Sequence, residues 1–181
     1  MEAIQCIRGR RSVRRFTGEK VPHGTIEAIV ETARYAPTWK NTQTARYLVI
    51  ENRETLERIA DECTAGSAHN TGIIREVPAL VVLSYVEKRS GYERDGSFTT
   101  SKGDAWEMFD AGIAAQTFCL AAYEKGVGTC IMGIFDEELV AKAVGLPEGQ
   151  RVGALIAVGY PEGEPAAPAR KEAAELLSFD E

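Results

Sequence analysis

Five arginines, Arg8, Arg10, Arg11, Arg14 and Arg15, stand within eight residues around Ser12. A guanidinium presents a planar fork of donors that matches phosphate oxygens two at a time. Arg10, Arg11 and Arg14 around the Ser12 hydroxyl would therefore suit a phosphomonoester dianion. The alternative is a solvated basic turn that balances nearby acids, and composition leaves both readings open. The whole chain carries a formal net charge of -6, so the run opposes the global balance and nucleic acid is a poor first candidate. Arg170 with Lys171 forms a second basic point that could close on the same anion or simply open a last helix. In "PTWKNTQ", Thr38, Asn41 and Gln43 gather hydroxyl and amide groups able to read the edge of a heteroaromatic ring. The same residue types after a proline also form ordinary turns. Asn70, in "SAHNTG", is a similar amide, with a cap or turn role as its alternative.

"KGVGTCIMGIF" contains G-x-G, yet it follows a helix and enters a strand, the reverse of a dinucleotide-binding loop. Gly126 reads as a helix C-cap, and Gly133 as a place where backbone N–H groups approach a flat ligand closely. Walker A, H-E-x-x-H and G-x-S-x-G patterns are absent. Only His23 and His69 exist as histidines, both in polar contexts, which argues against a Ser-His-Asp hydrolase. Asp110, on a long helix, reads as structural. The residues thus offer a phosphate cradle, amides for a ring, no metal site and no protein nucleophile. That combination points to a cofactor that brings its own reactivity.

The elements that must position these groups alternate between helix and strand. A short helix over 2–8 stops at Gly9, leaving the arginines on extended chain. A helix opening at Pro22 carries Ile26, Ile29, Val30 and Ala33 at helical spacing and ends before Pro37. "ARYLVIE" reads as a strand, Leu56, Ile59, Ala60 and Cys63 as an amphipathic helix, and "PALVVLSYV" as a central strand covered on both faces. Residues 87–103 form the longest candidate for a mobile loop or lid. Residues 104–125 read as one long alanine-rich helix, its small residues allowing close approach by other helices. "VGTCIM" and "VGALIAVGYP" are strands with a helix over 136–144 between them. Hairpin signals are few, so the expected class is α+β, a mixed sheet flanked by helices.

At 181 residues and 44% hydrophobic content the chain matches a single domain. No stretch is long and apolar enough to span a membrane, and the N-terminus lacks the order of a secretory signal. Cys6, Cys63, Cys119 and Cys130 are scattered, which suits buried thiols in a reducing, cytoplasmic compartment.

Taken in order, "RRSVRRF", "APTWKNTQ", "HNTGIIREVPALVVL", "DAGIAAQTFCLAAYEKGVGTCIMGIFDEE", "VGLPEG", "LIAVGYPEGEP" and "ARK" resemble the successive signatures of the nitroreductase family of flavin mononucleotide (FMN) enzymes, in its short form without an iron–sulfur domain. The resemblance implies an obligate homodimer with two FMN sites at the subunit interface, residues 1–181 forming one domain whose segment 164–181 docks on the partner. It implies that Arg10, Ser12 and Arg14 contact the phosphate and ribityl chain. Arg11 would add a backbone or flavin-edge contact, and Arg170 with Lys171 would complete the phosphate site. Pro37, Thr38 and Trp39 match a loop that reaches the partner's flavin, with Asn41 and Gln43 as its polar residues. Asn70 matches an amide at the pyrimidine end, and the backbone of Met132, Gly133 and Ile134 would face the reactive edge of the ring.

The implied activity takes hydride from NAD(P)H and passes two electrons to an electron-poor acceptor such as a nitroaromatic or quinone, with no side chain acting as catalytic acid. Alternatives keep the flavin but use other chemistry, namely reductive dehalogenation, flavin breakdown or ring oxidation. A distant third is a polyanion-binding module built on the arginine run. Two departures from the family pattern bear on substrate range. Thr44 and Ala45 follow the loop glutamine where relatives carry proline and an aromatic residue, and Ile134 stands where glycine is common.

Overall fold

A computed structural model describes residues 1–180. Four strands, β1 (Ala45–Ile50), β2 (Ala79–Val86), β3 (Gly128–Met132) and β4 (Gln150–Gly159), pair in the order β1-β2-β4-β3. Every pairing among them is antiparallel. The parallel component of the expected mixed sheet is confined to an isolated bridge between Ser12 and Thr129. Hairpin signals are few for a reason other than parallel pairing. Antiparallel neighbours here are joined by long connections that contain helices, so no tight turn is required.

Among the described residues six α-helices accompany the sheet: α1 (Ala3–Gly9), α2 (His23–Ala33), α3 (Arg53–Glu62), α4 (Ala68–Glu76), α5 (Ala105–Glu124) and α6 (Glu137–Val144). Side chains alternate across a strand, and β2 shows what that alternation does. Leu80 and Val82 enter one hydrophobic cluster with Leu56, Ile59 and Ile74, whereas Ala79, Val81 and Leu83 enter a second with Ile26, Ile29 and Phe118. The sheet is therefore covered by α3, α4 and α6 on one face and by α2 and α5 on the other. This is why "ALVVLSYV" reads as nearly continuous hydrophobic sequence.

The helix α4 lies where the sequence suggested turn chemistry. Ser67 caps it, its Oγ accepting from the Asn70 N–H, and Ile73 and Ile74 bury its inner face. Only two large apolar residues mark that face, too few for a periodic signal. On α5 the small residues Ala111, Ala114, Ala115 and Ala122 are buried, while Met108 and Phe109 are exposed. Close approach by neighbours, not bulk, determines which side of this helix faces the core. The segment 87–103 is tied to α5. The carboxylate of buried Glu107 accepts from the Lys88 and Arg89 N–H groups, and the Trp106 indole donates to Thr100 Oγ1 at 3.0 Å. The last expected helix is reduced to a 3-10 turn, Ala173–Glu175, and residues 166–180 are all exposed. No helix among the described residues is long and apolar enough to cross a membrane.

Candidate functional site

After Gly9 ends α1, the arginine run leaves as extended chain and lies along the edge of the sheet. Ser12 bridges Thr129, the Val13 N–H donates to the Thr129 carbonyl at 2.9 Å, and Phe16 bridges Pro161. The contact is close because Gly128 has no side chain. A Cβ there would come within 2.7 Å of Val13 Cγ2. Glycine is thus required by packing, not by backbone conformation. Val13 and Phe16 are buried in the core, whereas Arg14 and Arg15 between them are exposed and Ser12 is half-buried.

None of Arg8, Arg10, Arg11, Arg14 and Arg15 makes an ion pair with an acid among the described residues. The basic-turn alternative requires such balancing, and it lacks support. The Arg11 guanidinium folds back to the Arg8 and Arg10 carbonyls at 2.6 and 2.9 Å, capping the end of α1. Arg14 makes one longer bond, 3.3 Å to the Ser12 carbonyl. Arg10 keeps a buried Nε without a partner among the described residues, an orphaned donor that an anion would satisfy. Two adjoining clefts open here. One of about 490 Å³ includes Arg10, Arg11, Tyr123 and Thr129, and one of about 510 Å³ includes Ser12, Arg14, Arg15 and Glu164.

At the other end of β3 the chain leaves the sheet at buried Met132 and passes through exposed Gly133 and Ile134. The Asn70 side chain donates to the Ile134 carbonyl at 3.0 Å, joining α4 to this exit. A Cβ on Gly133 would meet nothing within 4 Å. Gly133 also borders a cleft with Tyr85, Met108, Phe135 and Arg151. Arg151 makes a two-pronged ion pair with Glu137, at 2.9 Å for both bonds. From Thr129 to Met132 a strand rises by about 10 Å. Basic groups at one end of β3 and a buried amide with open backbone at the other suit an elongated ligand carrying an anion on one end and a flat polar ring on the other.

The loop 37–43 lies elsewhere. Its Trp39 N–H donates to Asp110 Oδ2 at 2.9 Å, near the start of α5, whereas Gly9, next to Arg10, packs on Tyr123 near that helix's end. Thirteen residues of helix separate these points, about 20 Å at 1.5 Å per residue. None of residues 37–43 lines the clefts of the arginine run or of Gly133. Three of its residues, Lys40, Asn41 and Gln43, have φ of 44, 56 and 52°. Left-handed backbone costs a non-glycine residue about 1 kcal/mol or more, least for asparagine. Trp39 packs against Trp106 at 4.7 Å between ring centroids with the ring planes tilted by 46°, and its buried indole Nε1 has no partner among the described residues.

Arg170 and Lys171 sit on the exposed tail, and no hydrogen bond or ion pair among the described residues ties them to the arginine run. Sequence reasoning did not foresee that Asp110 and Ser90 anchor the loop. The available signal was a pair of acids, Glu107 and Asp110, three residues apart beside the core-facing Ala111 and Ala114. Burial pushes the Glu107 carboxyl above its ordinary range, against the opposing pull of the Lys88 and Arg89 N–H groups. Burial likewise raises the Cys130 thiol, with Arg14 and Arg10 near enough to draw it back. All four cysteines are free and buried.

The nitroreductase family model matches residues 7–160. An Archaeoglobus fulgidus protein with the provisional name NADH dehydrogenase/NAD(P)H nitroreductase is 28% identical over 167 residues, covering 90% of this chain and 87% of its own. The NADH dehydrogenase of Thermus thermophilus is 29% identical over 179 residues, covering 86% and 84% respectively. A crystal structure from Desulfovibrio desulfuricans, provisionally named a nitroreductase and solved in complex with FMN, superposes with a TM-score of 0.77. It is 26% identical and covers 98% of this chain and 96% of that one.

Proposed function

The chain belongs to the nitroreductase family, and from that premise we propose that it is an FMN-dependent oxidoreductase. It takes reducing equivalents from NAD(P)H and delivers two electrons to an electron-poor acceptor such as a nitroaromatic or a quinone. The observation that carries this reading is the pairing of acid-free arginines at one end of β3 with the Asn70–Ile134 link and bare Gly133 at the other. FMN has that polarity, a phosphate joined by a ribityl chain to a flat ring with a hydrogen-bonding edge. When bound, it supplies the two-electron exchange that no side chain of this protein offers.

The residues then divide the work. Arg10 and Arg14 hold the phosphate through charge-assisted bonds, Ser12 adds a hydroxyl to the phosphate and ribityl chain, and Arg11 stiffens the turn by capping α1. Asn70 fixes the exit of β3 and serves the pyrimidine edge. The Gly133 and Ile134 N–H groups, with Met132 beside them, would face the ring's reactive edge. The protein's contribution would be to hold donor and acceptor in line with the ring and to keep its polar edge satisfied.

The enzyme works as a homodimer. The 37–43 loop lines neither the clefts of the arginine run nor that of Gly133 in its own chain, and a second copy brings Pro37, Thr38, Trp39, Asn41 and Gln43 to the flavin. Exposed Met108 and Phe109 on α5 supply apolar surface for that contact. The whole chain forms one FMN-binding domain, and its segment 164–181 docks on the partner. Leu176, Leu177 and Phe179, 73, 57 and 77% exposed, find their cover there, and the docking carries Arg170 and Lys171 to a phosphate. Four reduced cysteines are in keeping with the cytoplasm.

The test compares FMN with riboflavin by fluorescence quenching, alongside the mass in solution. A dimer with one FMN per chain is expected, with riboflavin bound at least about 10-fold more weakly and Arg14→Ala abolishing most of that preference. Equal affinity for the two flavins would remove the phosphate site, and failure to bind either would remove the cofactor.

A further inference from the structure

Asp110 is 3% exposed on an alanine-rich helix and has no basic partner among the described residues. A buried carboxylate without a counter-charge needs donors, and both donors recorded on its Oδ2 come from separate loops. The Trp39 N–H lies at 2.9 Å and the Ser90 hydroxyl at 2.6 Å. Ser90 Oγ is also 3.0 Å from Thr42 Oγ1, which closes a circuit from α5 through the 87–103 segment back to the 37–43 loop. Around this circuit Lys40 pairs with Glu93 at 3.0 Å and the Gln43 N–H donates to Thr38 Oγ1 at 3.0 Å. The loop so restrained holds Lys40, Asn41 and Gln43 in left-handed backbone. Such a conformation persists when its surroundings over-determine it, and the Asp110 carboxylate hydrogen-bonds both loops to the helix, beside Trp106, which packs on Trp39 and donates to Thr100 Oγ1.

We propose that Asp110 is a positioning residue that sets the shape of the wall over the flavin face and, through it, which acceptors the enzyme discriminates. This rests on the reading that the 37–43 loop walls that face. The carboxylate touches neither flavin nor acceptor. It fixes the level of Trp39 and the outward aim of Asn41 and Gln43, and Ser90 transmits the same restraint to the neighbouring segment. Releasing it lets the loop relax toward ordinary backbone, so the wall becomes permissive.

The test uses the FMN-loaded dimer with Asp110→Ala, Asp110→Asn and Ser90→Ala. In Asp110→Ala the KM ratio between a bulky nitroaromatic and a small quinone is expected to shift by at least about 10-fold, with kcat for the quinone within about 3-fold. Asp110→Asn, which keeps an oxygen for the Trp39 N–H, restores most of the ratio. Independently of turnover, trypsin cleaves after Lys40 at least about 10-fold faster in Asp110→Ala, and the near-UV circular dichroism of the Trp39–Trp106 pair weakens. Unchanged KM ratios, or an unchanged cleavage rate, overturn the proposal. Should Asp110→Ala fail to fold, Ser90→Ala carries the same test, with a cleavage rate between wild type and complete release. If wild type takes no electrons from NAD(P)H, the functional reading fails by itself, while cleavage and dichroism still decide whether Asp110 holds the loop.

Discussion

The Asn70 side-chain amide donates to the Ile134 main-chain carbonyl at 3.0 Å, joining the first turn of α4 to the point where the chain leaves β3. Asn70 is 6% exposed, so its donor cannot turn to solvent instead. Asn70→Ala leaves the carbonyl unpaired at a cost of about 1 kcal/mol. Asn70→Asp sets a carboxylate against that same carbonyl and costs more. FMN titrations and thermal melts on both variants are expected to rank wild type above alanine and alanine above aspartate. Equal FMN affinity in all three would show that Asn70 serves α4 alone.

Gly128 and Val13 give a second prediction, because the arginine run can sit against the sheet only while position 128 lacks a side chain. A methyl group there would lie 2.7 Å from Val13 Cγ2. Overpacking of this kind costs about 1–3 kcal/mol. Gly128→Ala is expected to lower the melting temperature and weaken FMN binding together, since the displaced residue is the neighbour of Ser12 and Arg14. Adding Val13→Ala frees the space and recovers part of both losses. A double-mutant cycle with no coupling between the two sites would refute the contact.

A pH dependence follows from His23, which lies 2.7 Å from Glu51. The hydrogen bond to Glu51, then the charge of Glu51, raise the imidazole above its ordinary 6.5. A group whose folded pKa exceeds its unfolded value stabilises the fold fully below the unfolded pKa and loses that contribution as pH rises through the folded one. His23 is exposed, and solvent keeps the effect small. Melting temperatures of wild type and His23→Gln are expected to differ at about pH 5.5 and to converge by about pH 8.5. A gap that widens with pH would reverse the sign.

Most of the fold was legible because its strands and main helices carry strong periodic signals. Ile26, Ile29 and Ala33 are buried on one face of α2, and "ALVVLSYV" is a strand covered on both sides. The parts that escaped each have a particular cause. The face of α4 rests on Ile73 and Ile74 alone, and strand direction depends on pairing partners distant in sequence. The arginine run and Asn70 stood out by residue type. Asp110 did not, because its partners are a main-chain N–H in one loop and a hydroxyl in another, neither of which leaves a pattern in sequence. The separation of the 37–43 loop from the arginine run is likewise a property of the length of α5, invisible until the helix has neighbours.

The most direct test of an FMN oxidoreductase is an anaerobic absorbance titration of the FMN-loaded protein with NADH and then NADPH. The expected result is loss of the flavin absorbance band at about one nicotinamide per flavin, followed by its return on adding a nitroaromatic or a quinone. A flavin that dithionite bleaches and neither nicotinamide does would contradict the assigned reaction.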